Sequence, residues 1–445
     1  MRVVELFAGV GGFRIGFEGP PEDSDRSKFR VIWANQWEPS TKVQHAAEVY
    51  VEKWGLEESS EGEFSNGDDD VFVNKDIATI DANSIPNHEI ICGGFPCQDY
   101  SVAKTLNAAH GISGKKGVLW WEIRRIIEAK RPRFALLENV DRLLKSPRVQ
   151  RGRDFAVMLA SLSDLGYSVE WRVVDPSEYG FPQRRKRVFI IAEHRASWPN
   201  PMEMIGEKGI FARSLPIVPP DTLDFFGLGQ GDLAEISENF NSVGGDTPTP
   251  FGNCGIMVNR EVWTGKSLAD YHGGKQTLGG ILQKPGSIPD SFILKPESLL
   301  RDKGWIYLKG SKKEPRNGSD GFTYMYSEGP VTFPDALDRA SRTIVTGEGG
   351  VSPSRFKHVV KFRPTSGQKT RLGLLDNQSN EVRKRLGLGK SFWLRRLTPV
   401  ELERLNGFPD NHTELATDGR RAFFMGNALV TGIVSQISKG ISDAK

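Results

Sequence analysis

Cys97 carries the side chain in this sequence best placed for covalent chemistry. It closes the stretch Gly94-Phe95-Pro96-Cys97, directly after the apolar run Ile90-Ile91-Cys92. That run reads as a buried parallel strand. A cysteine just past such a strand is held by a rigid scaffold and faces the crevice where parallel sheets bind ligands. Pro96 removes a backbone donor and stiffens the turn. A thiolate is a strong nucleophile near neutral pH. The competing reading is an inert buried cysteine, the usual state of a lone Cys. Glu138 bears on the choice. It ends another apolar run, Phe134 to Leu137, and adjacent strand ends would set a carboxyl beside the thiol, an acid beside a nucleophile. Without Cys97, Glu138 reads as a capping carboxylate. Gln183-Arg184-Arg185-Lys186-Arg187 precedes a further strand. A period of two puts Arg185 and Arg187 on one side, against the alternative of a solvated basic turn.

A second group of residues suits a small ligand. Phe7-Ala8-Gly9-Val10-Gly11-Gly12 follows the first strand and opens a helix, so backbone N–H groups are free to meet a ligand. The pattern lacks the third glycine of the dinucleotide fingerprint, because residue 14 is Arg. Gln36, Trp37 and Glu38 follow the second strand: a polar group for a ribose and an aromatic face for an adenine. Asp76-Ile77 follows the third, where a carboxylate accepts from the adenine amino group. Each alone reads as structural. At three successive strand ends they favour an adenosine-containing ligand without a diphosphate.

These residues need a sheet with helices to hold them. Strand-like segments at 3–7, 29–34, 71–73, 89–92, 134–137, 168–174 and 187–192 alternate with helical ones at 39–54 and 120–130. This pattern predicts a mostly parallel α/β sheet covered on both faces. Glu57 to Asp70 reads as an acidic solvated loop. From Ser197 to about Gly389 the chain is rich in Gly, Pro, Ser and Asn, which predicts a second, smaller, β-rich domain. Thr398-Pro399-Val400-Glu401 is a capping box that opens a helix ending at Gly407. The expected boundaries are a discontinuous first domain, 1–197 with 415–445, and a second at 198–414. The 445 residues carry a net charge of +3 and three cysteines, which argues against a disulfide framework and for a reducing compartment. Cys92 and Cys97 make a poor zinc pattern, and no metal is expected. No run approaches the ~20 apolar residues of a membrane span, and the N-terminus enters a strand rather than a signal peptide. A cytoplasmic protein is the expectation.

Taken in order, Glu5 to Phe13, Gly94 to Ser101, Glu138-Asn139-Val140, Gln183 to Phe189, Arg396-Leu397-Thr398-Pro399 through Arg404 to Pro409, and Gly426-Asn427-Ala428-Leu429 frame nearly the whole chain. In this order and spacing the chain resembles the DNA (cytosine-5) methyltransferases of prokaryotic restriction–modification systems. The resemblance implies a Rossmann-like S-adenosylmethionine-dependent domain and a target-recognition domain within 198–414. The implied reaction moves a methyl group to C5 of a cytosine flipped out of a short duplex site, leaving S-adenosylhomocysteine. Cys97 would add to C6, Glu138 would contact N3 and the amino group, Arg187 would hold O2, and Arg185 would support it. Phe7, Gly9, Gly11, Trp37, Asp76, Ile77, Asn427 and Leu429 would surround the cofactor. Gln36, with Glu38 nearby, stands where many members carry a ribose-binding glutamate. Lys116 stands where arginine is usual, within a catalytic loop from Asp99 to Gly117. Gln98, Ser101 and Lys116 would meet DNA.

In the recognition region Lys309, Lys312, Lys313 and Arg316 among Phe322, Tyr324 and Tyr326, together with Arg342 and Arg355, are the candidates for phosphates and base edges. The expected partners are double-stranded DNA and a cognate restriction endonuclease, with the enzyme itself a monomer. A tRNA cytosine methyltransferase lacks support, since Cys-Phe-Thr is absent. Intact Cys97, Glu138 and Arg187 argue against a silent DNA-binding regulator, and the missing third glycine against an NAD-dependent oxidoreductase.

Overall fold

The structure is a computed structural model that describes residues 1–67, 70–95, 119–242, 247–317 and 322–444. The chain packs as two units. One comprises Met1–Gly180, Arg185–Gly274 and Leu429–Lys445; the other comprises Phe181–Arg184 and Lys275–Ala428.

The first unit carries β1 Arg2–Leu6, β2 Arg30–Asn35, β3 Glu57–Ser60, β4 Glu63–Ser65, β5 Val71–Val73, β6 Ile90–Gly94 and β7 Phe134–Val140. It continues with β8 Tyr167–Val174, β9 Arg187–His194, β10 Ile217–Val218, β11 Asp224–Gly227, β12 Cys254–Val258, β13 Glu261–Gly265 and β14 Leu268–Ala269. β10 and β14 pair with each other; the other twelve form one sheet in the order β11-β13-β12-β8-β9-β7-β6-β1-β2-β5-β4-β3. The run β5-β2-β1-β6-β7 is parallel, as expected. The flanks are antiparallel, so the sheet is mixed rather than mostly parallel. Central strands covered on both faces read as unbroken apolar runs. Val3, Val4, Leu6, Ile90, Ile91, Cys92 and Phe134 to Leu137 are accordingly all fully buried.

Helices α1 Gly12–Glu18, α2 His45–Lys53, α3 Leu119–Lys130 and α4 Arg153–Asp164 belong to this unit. In α3 the buried Trp120, Ile123, Ile126 and Ile127 recur at helical spacing and form one apolar stripe. The expected helix at 39–54 begins only at His45, because Gln44 holds residues 38–41 as a turn, accepting from Glu38 N and donating to Glu38 O and Thr41 O. The closing helix Thr431–Ser442 packs on α1, where Gly16 leaves room for Val434; a Cβ there would lie 2.4 Å from the Val434 Cβ.

Packing overrules three further expectations. Residues 57–65 are an exposed hairpin on the sheet edge rather than a loop, anchored by Phe64 against Phe72. The packing boundary lies at Gly274, not 197, because β12 pairs with β8 and carries the sheet onward through β13 and β11. Residues 415–428 pack with the second unit, so the return to the first unit starts at Leu429.

The second unit has a core of Ile288, Phe292, Leu294, Trp305, Val359, Phe362, Leu374, Val382, Trp393 and Leu394. Its strands make two ribbons, β15 Lys312–Asn317 with β16 Thr323–Glu328 and β17 Val359–Phe362 with β18 Trp393–Arg396. They are set among short helices, so β character is confined to the ribbons. Helix Asn377–Leu386 was not expected, although Asp376 caps its start and Gly387, at φ +60°, its end. The capping box at Thr398 is formed in both directions, and Gly407 ends that helix at φ +77°.

Candidate active site

Strand register does the first part of the positioning. Val73, Asn35, Leu6, Gly93 and Leu137 lie abreast across β5, β2, β1, β6 and β7. The residues that follow them, Asn74, Gln36, Phe7, Gly94 and Glu138, therefore emerge together at the carboxyl edge, where open α/β sheets bind ligands.

Gly94 stands directly opposite Glu138, and a Cβ on Gly94 would sit 3.1 Å from Glu138 Oε2. Glycine at this position lets the chain leading to Cys97 pass close to the carboxyl. Arg187, the first residue of β9, ion-pairs Glu138 through Nε at 2.8 Å, with both side chains less than one-fifth exposed. Burial pushes the Glu138 carboxyl above its usual range, against the pull of Arg187 and then Arg185. Arg185 is itself buried, and burial with the like charge of Arg187 brings its guanidinium down to about 9. Asn139 donates to the Phe95 carbonyl at 3.0 Å and ties the end of β7 to the turn after β6. Cys97, Gln98, Ser101 and Lys116 lie outside the described residues.

The glycine turn is shaped by two left-handed residues. Gly9 has φ +57° and faces open space; Gly11 has φ +82°, and a Cβ there would lie 2.0 Å from the Trp54 ring. Phe7 also has positive φ, 55°, a strained conformation for a side chain of its size. Beneath the turn lies a charge cluster that sequence reading missed. Glu5 accepts from Phe13 N at 3.2 Å, Arg14 N at 3.3 Å and Tyr50 Oη at 3.2 Å. Arg14, 1% exposed, ion-pairs Glu18 at 2.9 Å and Asp70, and stacks 4.7 Å from the Trp54 ring. Burial pushes Glu5 up to about 8, against the pull of Arg14. The sequence signal was a charged residue, Glu5, inside an apolar strand.

The other expected cofactor residues gather at the same edge. Gln36 accepts from Gly9 N at 2.8 Å. Asn74 donates to the Gln36 carbonyl at 2.6 Å, and Asn35 to the Val73 and Lys75 carbonyls at 2.9 Å each. Trp37 is 39% exposed, Ile77 is buried, and Asp76 is exposed with one carboxylate oxygen on Ala78 N. Glu38 contributes mainly its backbone, held by Gln44. Open space at Gly9, the exposed Trp37 face and the Asp76 carboxylate have the character that an adenosine requires. Asn427 ends helix Asp418–Asn427 of the second unit, and Leu429 is buried at the start of the first unit's closing segment.

In the second unit Arg316 lies 3.5 Å over the Tyr326 ring and ion-pairs Glu314 at 2.7 Å. Phe322, Tyr324 and Met325 are exposed beside it. Arg342 and Arg355 brace the unit instead of presenting free forks. Arg342 holds Asp335 at 2.7 Å and the Phe356 and Lys357 carbonyls; Arg355 holds Glu328 at 2.9 Å and the carbonyls of Leu308, Gly310 and Gly329. Lys309 is 2% exposed and donates to the Arg355 carbonyl at 2.8 Å, so it is not a phosphate ligand as placed. Gln183 donates to Asn406 Oδ1 at 2.8 Å and accepts from Ile344 N at 3.0 Å, an anchoring role within that unit. Among the described residues no group of His, Cys, Asp and Glu could hold a metal ion, and no helix is long and apolar enough to cross a membrane.

Comparison with known proteins identifies the family. The profile of the C-5 cytosine-specific DNA methylases matches residues 1–217 and 295–443. The chain is 40% identical to the Type II methyltransferase M.Sau3AI of Staphylococcus aureus, over 99% of this chain and 95% of that protein. It is 30% identical to M.NlaIV of Neisseria lactamica over 99% and 98% of the two chains. Its fold is similar to that of Spodoptera frugiperda DNMT2, with TM-score 0.56, 13% identity and 99% of each chain covered. On the extent of these matches, the chain belongs to the C-5 cytosine-specific DNA methylase family.

Proposed function

We propose that this DNA cytosine-5 methyltransferase modifies one cytosine within a short specific duplex site, through a transient bond between Cys97 and C6 of the base. The observation that carries the proposal is the cluster of Gly94, Glu138 and Arg187 at the carboxyl edge, with Gly94 shortly before Cys97 in the sequence. C5 of cytosine is a poor nucleophile. Addition of the Cys97 thiolate to C6 converts the ring to an enamine, provided N3 gains a proton or a strong hydrogen bond as electrons move towards it. A carboxyl raised by burial holds its proton at higher pH than an ordinary glutamate, which suits Glu138 as that donor. Arg187 keeps the carboxyl oriented and would hold the base O2, and Arg185 adds a second buried cation. S-adenosylmethionine, when bound, supplies the methyl group on a sulfonium, with C5 as its acceptor. Phe7, Gly9, Gly11, Gln36, Trp37, Asp76 and Ile77 would hold it. A base then takes the C5 proton as the Cys97 thiolate leaves, N3 returns its proton to Glu138, and the ring is aromatic again.

The base lies inside the duplex stack, so it must be flipped out at a cost of a few kcal/mol. The β15–β16 ribbon, with Arg316 and the exposed Tyr324, would read DNA in the second unit. The likeness to Type II methyltransferases supports a host-protecting role beside a cognate restriction endonuclease.

The test is methyl transfer from labelled S-adenosylmethionine to duplex DNA, with bisulfite sequencing to locate the product. Wild-type protein is expected to modify a fixed site and Cys97→Ala to retain DNA binding without transfer. Continued turnover by Cys97→Ala would remove the covalent step.

A further inference from the structure

We propose that Gln36 divides its side-chain amide between the glycine turn and the cofactor's ribose, accepting from the first and donating to the second. The polarity is then opposite to that of a carboxylate at this position, which can only accept. The proposal rests on S-adenosylmethionine being the cofactor.

Gln36 Oε1 is fixed by chemistry. The atom 2.8 Å from the Gly9 N–H must be an acceptor, so it is the oxygen, and Nε2 is the free end. Nε2 meets no hydrogen-bond partner among the described residues, although Gln36 is only 9% exposed. The backbone is pinned on both sides: Gln36 N donates to the Val73 carbonyl at 3.2 Å, and Asn74 donates to the Gln36 carbonyl at 2.6 Å. Gln44 then holds the next turn through Glu38. The side chain is thus placed before any ligand arrives, between a glycine facing open space and the exposed Trp37. A donor presented there, between a phosphate-free glycine turn and an aromatic platform, suits a ribose hydroxyl oxygen. One side chain would then link the shape of the turn to possession of the sugar.

The experiment is calorimetric binding of S-adenosylhomocysteine, its 2′-deoxy and 3′-deoxy analogues and the matching methoxy analogues to the full chain. Wild type, Gln36→Met and Gln36→Glu are compared, with melting curves alongside. Wild type is expected to lose roughly 2- to 12-fold affinity when one hydroxyl is removed, the size of a neutral hydrogen bond. In Gln36→Met that sensitivity disappears. In Gln36→Glu the same deletion costs roughly 12- to 150-fold, as for a charged acceptor. The methoxy group keeps its acceptor but has lost its donor, so it should be tolerated better by wild type than by Gln36→Glu; the steric cost of the methyl cancels in that ratio. Equal loss for every ligand in Gln36→Met would mean that Gln36 only props the turn, and would overturn the proposal. So would equal methoxy tolerance in wild type and Gln36→Glu, a comparison that stands even if Gln36→Met fails to fold. Failure of the wild type to bind S-adenosylhomocysteine at all would instead overturn the choice of cofactor.

Discussion

Replacing Arg187 by leucine should move the alkaline limb of the pH–rate profile upward. Arg187 Nε lies 2.8 Å from Glu138 Oε1 and is the strongest force holding that carboxyl down against burial. An opposite charge in such contact is worth about 1–3 pKa units, or about 1.4–4 kcal/mol at 1.36 kcal/mol per unit. The upper figure matches a Coulomb estimate of about 4 kcal/mol for charge centres about 4 Å apart at an effective dielectric of about 20. The sign follows directly. Without the cation the carboxylate form is disfavoured, so the protonated form survives to higher pH. If Glu138 acts as a proton donor to N3, rate falls as pH rises through its folded pKa, and in Arg187→Leu that fall comes about 1–3 units later. The rate at every pH also drops, because the hold on the base is lost, so the position of the limb is the readout and not its height. Arg187→Lys keeps the charge and should leave the limb near its wild-type place while lowering the rate. Arg185→Leu should shift it in the same direction by less, since Arg185 exerts the weaker pull. The assay is single-turnover methyl transfer to duplex DNA between about pH 5 and about pH 10. A limb that stays fixed in Arg187→Leu, or moves down, refutes the claim that a protonated Glu138 is the working form.

Two further outcomes are expected from the fold. Gly11→Ala should destabilise the protein by about 1–3 kcal/mol more than Gly9→Ala in denaturant titration, because both sites strain a left-handed backbone but only Gly11 drives a methyl group into Trp54. Equal losses would mean that Trp54 gives way freely. Glu170, 2% exposed, accepts from Ile210 N at 2.8 Å, and burial raises its carboxyl to about 7. Its folded pKa lies above the unfolded one, so its contribution is full below about pH 4.5 and is lost as pH rises through about 7. Glu170→Gln keeps an acceptor for Ile210 and should flatten the decline in melting temperature over that window; an unchanged slope would assign the decline to other groups.

The strand ends and the glycine turn were legible because their signals are local. An apolar run followed by glycine, proline and cysteine marks a strand end, and a glycine turn before a helix marks a ligand edge. The capping box at Thr398 was equally plain, since it needs only four residues. Misreadings arose where local composition is overruled by packing. Glu57 to Ser65 looks solvated, and is, but still pairs as strands because β5 offers an open edge. Residues 198–274 look like part of another domain, yet Cys254–Val258 continues the sheet. Arg342 and Arg355 look like free cations, but their donors satisfy carboxylates and carbonyls of their own unit.

The sequence by itself determined which side chains are present, in what order, and at which strand ends. Those are properties of short stretches, and residue type and spacing record them. Only the tertiary structure decided that Gly94 faces Glu138, that Arg187 returns from about fifty residues away to pair with it, and that Gln36 spends its oxygen on Gly9. Register between strands and the burial of a charge depend on neighbours distant in the chain, and no local pattern carries that information.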